Sequence, residues 1–95
     1  MADSYQIEQV LRPGGELDIN ARDDLRAMIF DALAAAGRVV VDLGDVTFID
    51  SEALGALIDG YNAAASTGAV FRVINARGAV ARVLNVSGAQ ELFDS

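Results

Sequence analysis

The segment Val39-Val40-Val41-Asp42-Leu43-Gly44-Asp45-Val46-Thr47-Phe48-Ile49-Asp50-Ser51-Glu52-Ala53-Leu54-Gly55 decides the fold. It opens with a continuous β-branched run, Val39 to Val41, extended by Leu43. Such runs mark strands buried on both faces, typical of sheets with parallel pairing. Gly44-Asp45 turns the chain, and Thr47-Phe48-Ile49 forms a short extended piece. From Asp50 the periodicity changes. Leu54, Leu57, Ile58, Tyr61 and Ala65 recur at helical spacing until Gly68. Strand, turn, extended piece and helix thus succeed one another within thirty residues.

Upstream, Tyr5–Leu11 alternates loosely, with Tyr5, Ile7 and Val10 on one side, and reads as a half-buried strand. Pro13-Gly14-Gly15 marks a turn, and Glu16-Leu17-Asp18 a short second strand. Asn20 is the expected N-cap of a first helix, with Asp23 and Asp24 in its first turn. Leu25, Met28, Ile29, Ala32, Leu33 and Ala36 form its apolar face, closed by Gly37 at C′. Downstream, Val70-Phe71-Arg72-Val73-Ile74 is a strand. Asn75 is the expected cap of a third helix carrying Val80, Val83 and Leu84, which Ser87-Gly88 ends. Gln90–Phe93 is a short amphipathic tail. The order is strand, strand, helix, strand, helix, strand, helix, which predicts a single α/β domain with helices packed on a mixed sheet.

Composition narrows the chemistry. The 95 residues are 53% hydrophobic and 22% charged, which suits one folded domain. Alanine supplies much of the apolar count, so helices are expected to sit close to the sheet. Cysteine and histidine are absent, and all seven basic residues are arginine. No thiol nucleophile, imidazole base or lysine is therefore on hand for catalysis. An enzyme would have to run on carboxylates alone, in a chain short for a deep cleft. The glycines form no phosphate-binding pattern. No catalytic residue, metal site or cofactor is assigned. The net charge of −7 gives no drive toward nucleic acid or anionic lipid and favours a basic protein partner. The N-terminus lacks a basic and apolar leader, and no apolar run reaches the ~18–20 residues of a membrane span. A cytoplasmic location is expected.

Function, if it has one focus, belongs at Phe48–Gly55. Functional groups in α/β sheets collect at the carboxyl ends of strands and at the succeeding helix starts. The plain structural reading is that Asp50 or Ser51 caps the helix, Glu52 complements its dipole and Leu54 packs. A Mg²⁺ site on Asp45, Asp50 and Glu52 has no motif spacing behind it.

At these residues the sequence resembles the STAS domains, of the anti-sigma-factor-antagonist type. Gly15-Glu16-Leu17-Asp18 resembles the family's GELD segment. Val39–Leu43, Val46–Ser51 and Ala53-Leu54-Gly55 resemble its central block. Val80–Leu84 with Leu92-Phe93 resembles its third helix and the Leu-Phe pair beyond that helix. The resemblance covers nearly the whole chain in the right order. It implies a mixed sheet with helices mainly on one side, and partner switching. In that family an unphosphorylated antagonist binds an anti-sigma factor that is also a serine kinase. Phosphorylation at the start of the second helix breaks the complex, because a phosphate adds about −1.5 to −2 charge and bulk at the interface.

The sequence departs from the pattern in two places. The family's phosphorylated residue comes directly after the Asp-Ser pair, here Asp50-Ser51, and this chain has Glu52 there, with Ala53 in place of the usual Gly. Glu52 is expected to act as a phosphate-like charge, or as part of a phosphorylation-independent binder, or to leave Ser51 as substitute acceptor. Family members also continue into a further strand and helix, whereas this sequence ends at Ser95. A shortened C-terminus is expected to expose apolar surface for a partner or a homodimer. The expected partner-binding residues are Asp18, Asp50, Ser51, Glu52, Ala53 and Leu54. The partner that the resemblance implies is an anti-sigma factor of the serine-kinase type or a related regulatory protein. The alternative is a subunit of another assembly, such as a transporter ATPase complex.

Overall fold

The computed structural model describes residues 7–94. Tyr5, expected at the head of the first strand, lies outside the described residues. The elements run β1 (Glu8–Leu11), β2 (Gly14–Leu17), α1 (Ile19–Ala35), β3 (Arg38–Asp42), β4 (Asp45–Ile49), α2 (Ser51–Thr67), β5 (Val70–Ile74), α3 (Gly78–Ser87) and α4 (Ala89–Asp94). Two ladders form, β1-β3-β5 and β2-β4. Between described strands of the expected mixed sheet, every pairing is parallel. Parallel neighbours need crossover connections, which α1 and α2 supply.

Pro13 and Gly44 interrupt the two halves of one ribbon. β1 pairs with β3 before the break, and β2 pairs with β4 after it. Gly14-Gly15, expected as a turn, therefore enters β2, and the register slips between Gly15 and Glu16. The ladder ends with Leu17 beside Ile49, and Asp50 N donates to Leu17 O at 3.1 Å. The next residues of both chains begin helices, so the starts of α1 and α2 lie side by side.

One face of the three-stranded ladder is the core. Val39, Val41, Phe71 and Val73 point into it, under Leu25, Ile29 and Ala32 of α1 and Leu54, Leu57 and Ala64 of α2. Val39 to Val41 is thus buried on one face only, since Val40 is half-exposed. The opposite face carries Val10, Val40, Val70 and Ile74 with Glu8, Arg38 and Arg72, and no described helix covers it. The small residues act as expected. Ala32, Ala53, Ala56, Gly60 and Ala64 are buried where the layers meet. Phe93 of α4 pins the end of the chain, with its ring centroid 6.1 Å from Phe71 and 6.2 Å from Tyr61.

Several local expectations change. The N-cap of α1 is Asp18, not Asn20. The ladder ends at Leu17, so Asp18 is the first residue free to turn its carboxylate onto a helix N–H. Its Oδ1 accepts from Asn20 N at 2.9 Å. Asp23 and Asp24 consequently fall beyond the first turn, and Arg22 moves close to it. Gly37 is not a left-handed cap, because Ala36 leaves the helix in extended geometry. Asn75 does not cap α3. Arg77 precedes that helix, and Asn75 takes φ +64° and donates to Asp42 instead. The expected caps of α2 are present: Asp50 at its start and Gly68, left-handed, at its end.

Candidate functional site

The paired starts of α1 and α2 gather four of the six expected surface residues. Asp18 and Asp50 are the two N-caps. Asp50 Oδ1 accepts from Ala53 N at 3.0 Å, and Leu54 N donates to Asp50 O at 2.9 Å. Both carboxylates are therefore spent on helix N–H groups first. Replacing Asp50 by alanine is expected to cost about 1 kcal/mol of stability, whereas Asp50→Ser keeps most of it. Urea unfolding of the two variants checks this, and equal losses would remove the capping role.

Ser51 and Glu52 are both exposed, but they border different grooves. Ser51 borders a groove between α2 and α3. Glu52 borders a groove between α1 and α2, lined also by Arg22, Arg26 and Asp59. Neighbours on a helix differ by about a quarter turn, which separates the two side chains. Ala53 is wholly buried and shapes the surface through its backbone. Leu54 is buried as well and forms part of a groove floor.

Arg22 is the residue that sequence reading missed. Its Nη1 donates to Glu52 Oε2 at 2.8 Å, and its Nε to Asp23 Oδ1 at 3.2 Å. The hydrogen bond to Glu52, then that to Asp23, holds its guanidinium above the ordinary arginine pKa. Further along, Arg26 pairs with Asp59 and lies over the Phe30 ring, 4.9 Å from its centroid. Two ion pairs thus tie α1 to α2 along one groove. No local sequence signal reports this pair; Arg22 and Glu52 fall within reach only once the fold sets Leu17 beside Ile49.

A second polar cluster sits where β3 and β5 end. Asp42 Oδ1 accepts from Gly44 N at 2.8 Å and from Asn75 Nδ2 at 3.1 Å. These bonds, the Gly44 N–H foremost, hold its carboxyl below the ordinary aspartate pKa. Arg77 Nη2 donates to Gly44 O at 2.7 Å. The cluster pins the bend between β3 and β4. Among the described residues no group of three or more acids is placed to hold a metal ion, and Asp45 lies apart from Glu52 in a different groove.

The profile of the family described as "Mlab, STAS domain" matches residues 1–94. The chain belongs to the STAS domain family. No curated protein matches it by sequence. Among solved structures, a candidate anti-sigma factor antagonist of Thermotoga maritima, TM1081, is 25% identical with a TM-score of 0.81. The match covers 96% of this chain and 77% of that one. The anti-sigma factor antagonist SpoIIAA of Bacillus, unphosphorylated, is 22% identical with a TM-score of 0.69, covering 90% and 77%. A sulfate transporter family protein from Wolinella succinogenes is 15% identical with a TM-score of 0.78, covering 90% and 70%. The last two likenesses establish the shared fold. No described helix of this STAS domain is long and apolar enough to cross a membrane.

Proposed function

We propose that this STAS domain is a non-enzymatic regulatory binding module of the cytoplasm that engages an anti-sigma factor or a related switch protein without phosphorylation control. The observation that carries this reading is the Arg22–Glu52 pair at the start of α2. A phosphate there would bring about −1.5 to −2 charge and three acceptor oxygens. Glu52 brings one negative charge, and Arg22 offsets it. The surface is therefore closer in charge to an unphosphorylated antagonist than to a phosphorylated one. Asp18, Asp50, Ser51 and Glu52 border the contact, and Ala53 and Leu54 support it from below.

The missing hydroxyl at position 52 also favours a second reading. A STAS subunit of a transporter ATPase assembly needs no phosphoacceptor, and it would form a stable complex of fixed stoichiometry rather than a switch.

The test is capture from source-cell extract on the tagged full chain, with Glu52→Ser and Glu52→Arg alongside and retained proteins identified by mass spectrometry. A sigma-regulatory kinase is expected on both the wild type and Glu52→Ser. Intact mass after incubation with that kinase and ATP is expected to rise by one phosphate in Glu52→Ser only. A rise in the wild type that disappears in Ser51→Ala would shift the acceptor to Ser51. Glu52→Arg sets two cations together and is expected to weaken capture; unchanged capture would remove this surface from the interface. Retention of a transporter component instead would favour the second reading.

A further inference from the structure

We propose that the groove between the first turn of α2 and α3 docks a protein segment carrying a large apolar side chain beside a carboxylate. The inference rests on the regulatory-binding reading, and it names the partner's chemistry at the same surface.

The groove is built from apolar side chains. Ile49 at the end of β4 and Leu54 of α2 are buried at its floor. Val83 is half-buried on its α3 side, and Val86 lies one turn further on at 83% exposure. A single exposed valine needs no explanation. Here the exposed valine continues a patch that includes Val83, Leu54 and Ile49, and helix formation gains nothing from valine at an open position. Ser51 stands at the rim and offers a hydroxyl, whereas the Ser87 hydroxyl there donates to Leu84 O and accepts from Ala89 N.

The charge at the rim selects the occupant. Arg82 borders the groove, and among the described residues its side chain has neither hydrogen bond nor ion pair. Of the seven arginines it shares that state only with Arg72, on the open face of the sheet. Arg12, Arg22, Arg26 and Arg38 are each paired with an acid, and Arg77 with a backbone carbonyl. No acid lines the groove. Of the two carboxylates adjacent to Ser51 in sequence, Asp50 caps α2, and Glu52 borders the groove on the other side of α2, held there by Arg22. An acidic protein thus presents, beside the start of α2, an apolar groove whose only charged lining residue is a cation. Complementary charge steers an acidic, apolar segment there and disfavours a basic one.

The test titrates the ¹⁵N-labelled full chain with two short synthetic amphipathic peptides. Both carry leucines at helical spacing, one with glutamates and the other with lysines at the polar positions. The glutamate peptide is expected to shift the amide signals of Ser51, Leu54, Arg82, Val83 and Val86. It should bind about two- to fivefold more tightly than the lysine peptide, the range of one exposed charge pair. Arg82→Glu should reverse that order. Val86→Asp, at a position too exposed to disturb folding, should weaken both peptides. Equal affinities, an unchanged order in Arg82→Glu, shifts centred on Val10, Val40, Val70 and Ile74, or no shifts would each overturn the proposal. So would concentration-dependent broadening at the groove without peptide, which would assign it to a second copy. These results do not depend on what the Glu52 variants capture, so either reading can fail alone.

Discussion

Replacing Leu57 by alanine is expected to lower the unfolding free energy by about 2–5 kcal/mol. Leu57 is wholly buried in α2, within the cluster that joins α1, α2 and the sheet. Apart from Leu54, the other buried residues of α2 are Ala53, Ala56, Gly60 and Ala64, which have little or no side chain to move into a void. A site that relaxes poorly sits at the upper part of the range for such deletions. A domain of this size has roughly 5–15 kcal/mol in total. The melting temperature should therefore fall by roughly 10 °C or more. Urea unfolding monitored by circular dichroism reads this, with the slope unchanged and the midpoint lowered. A loss below about 1 kcal/mol would mean that α2 does not pack as described.

Gly60→Ala is expected to go against the usual rule for helices. Within a helix, glycine to alanine ordinarily gains about 0.5–1 kcal/mol. At Gly60 an added Cβ would lie 2.7 Å from Ile29 Cγ2 and 3.0 Å from Phe71 Cε2. Overpacking of that kind costs about 1–3 kcal/mol and outweighs the helical gain. Gly55 on the same helix is the internal control, because a Cβ there meets nothing within 4 Å. Gly55→Ala should stabilise, Gly60→Ala should destabilise, and Ile29→Leu, which removes the clashing Cγ2, should restore part of the loss in the double variant. Equal effects at the two glycines would show that α1 and β5 do not close on α2 at Gly60.

The order of strands and helices was legible because its signals are local. The run Val39 to Val41 and the helical spacing from Leu54 to Tyr61 each occupy one contiguous stretch. The caps Asp50 and Gly68 lie next to the pattern they end. The start of α1 was misplaced by two residues, since Asp18 and Asn20 are both good caps and only the end of the β2-β4 ladder chooses between them. The absence of histidine, cysteine and lysine, and the acid at position 52, were likewise plain in the sequence.

Contacts across the sequence were not legible. Arg22 meets Glu52 across 30 residues, and Asn75 meets Asp42 across 33. Nothing in the spacing of one chain segment reports its distance from another; that depends on the register of Leu17 against Ile49. The same register turns Glu52 from a bare phosphate-like charge into half of an ion pair. The placement of α3 next to α2, in turn, leaves Arg82 unpaired beside an apolar groove. The sequence by itself therefore determined the element order, the family resemblance and the chemistry excluded. Tertiary structure alone decided which charges are neutralised and which surface stays open, because those depend on strand register and helix packing rather than on neighbours along the chain.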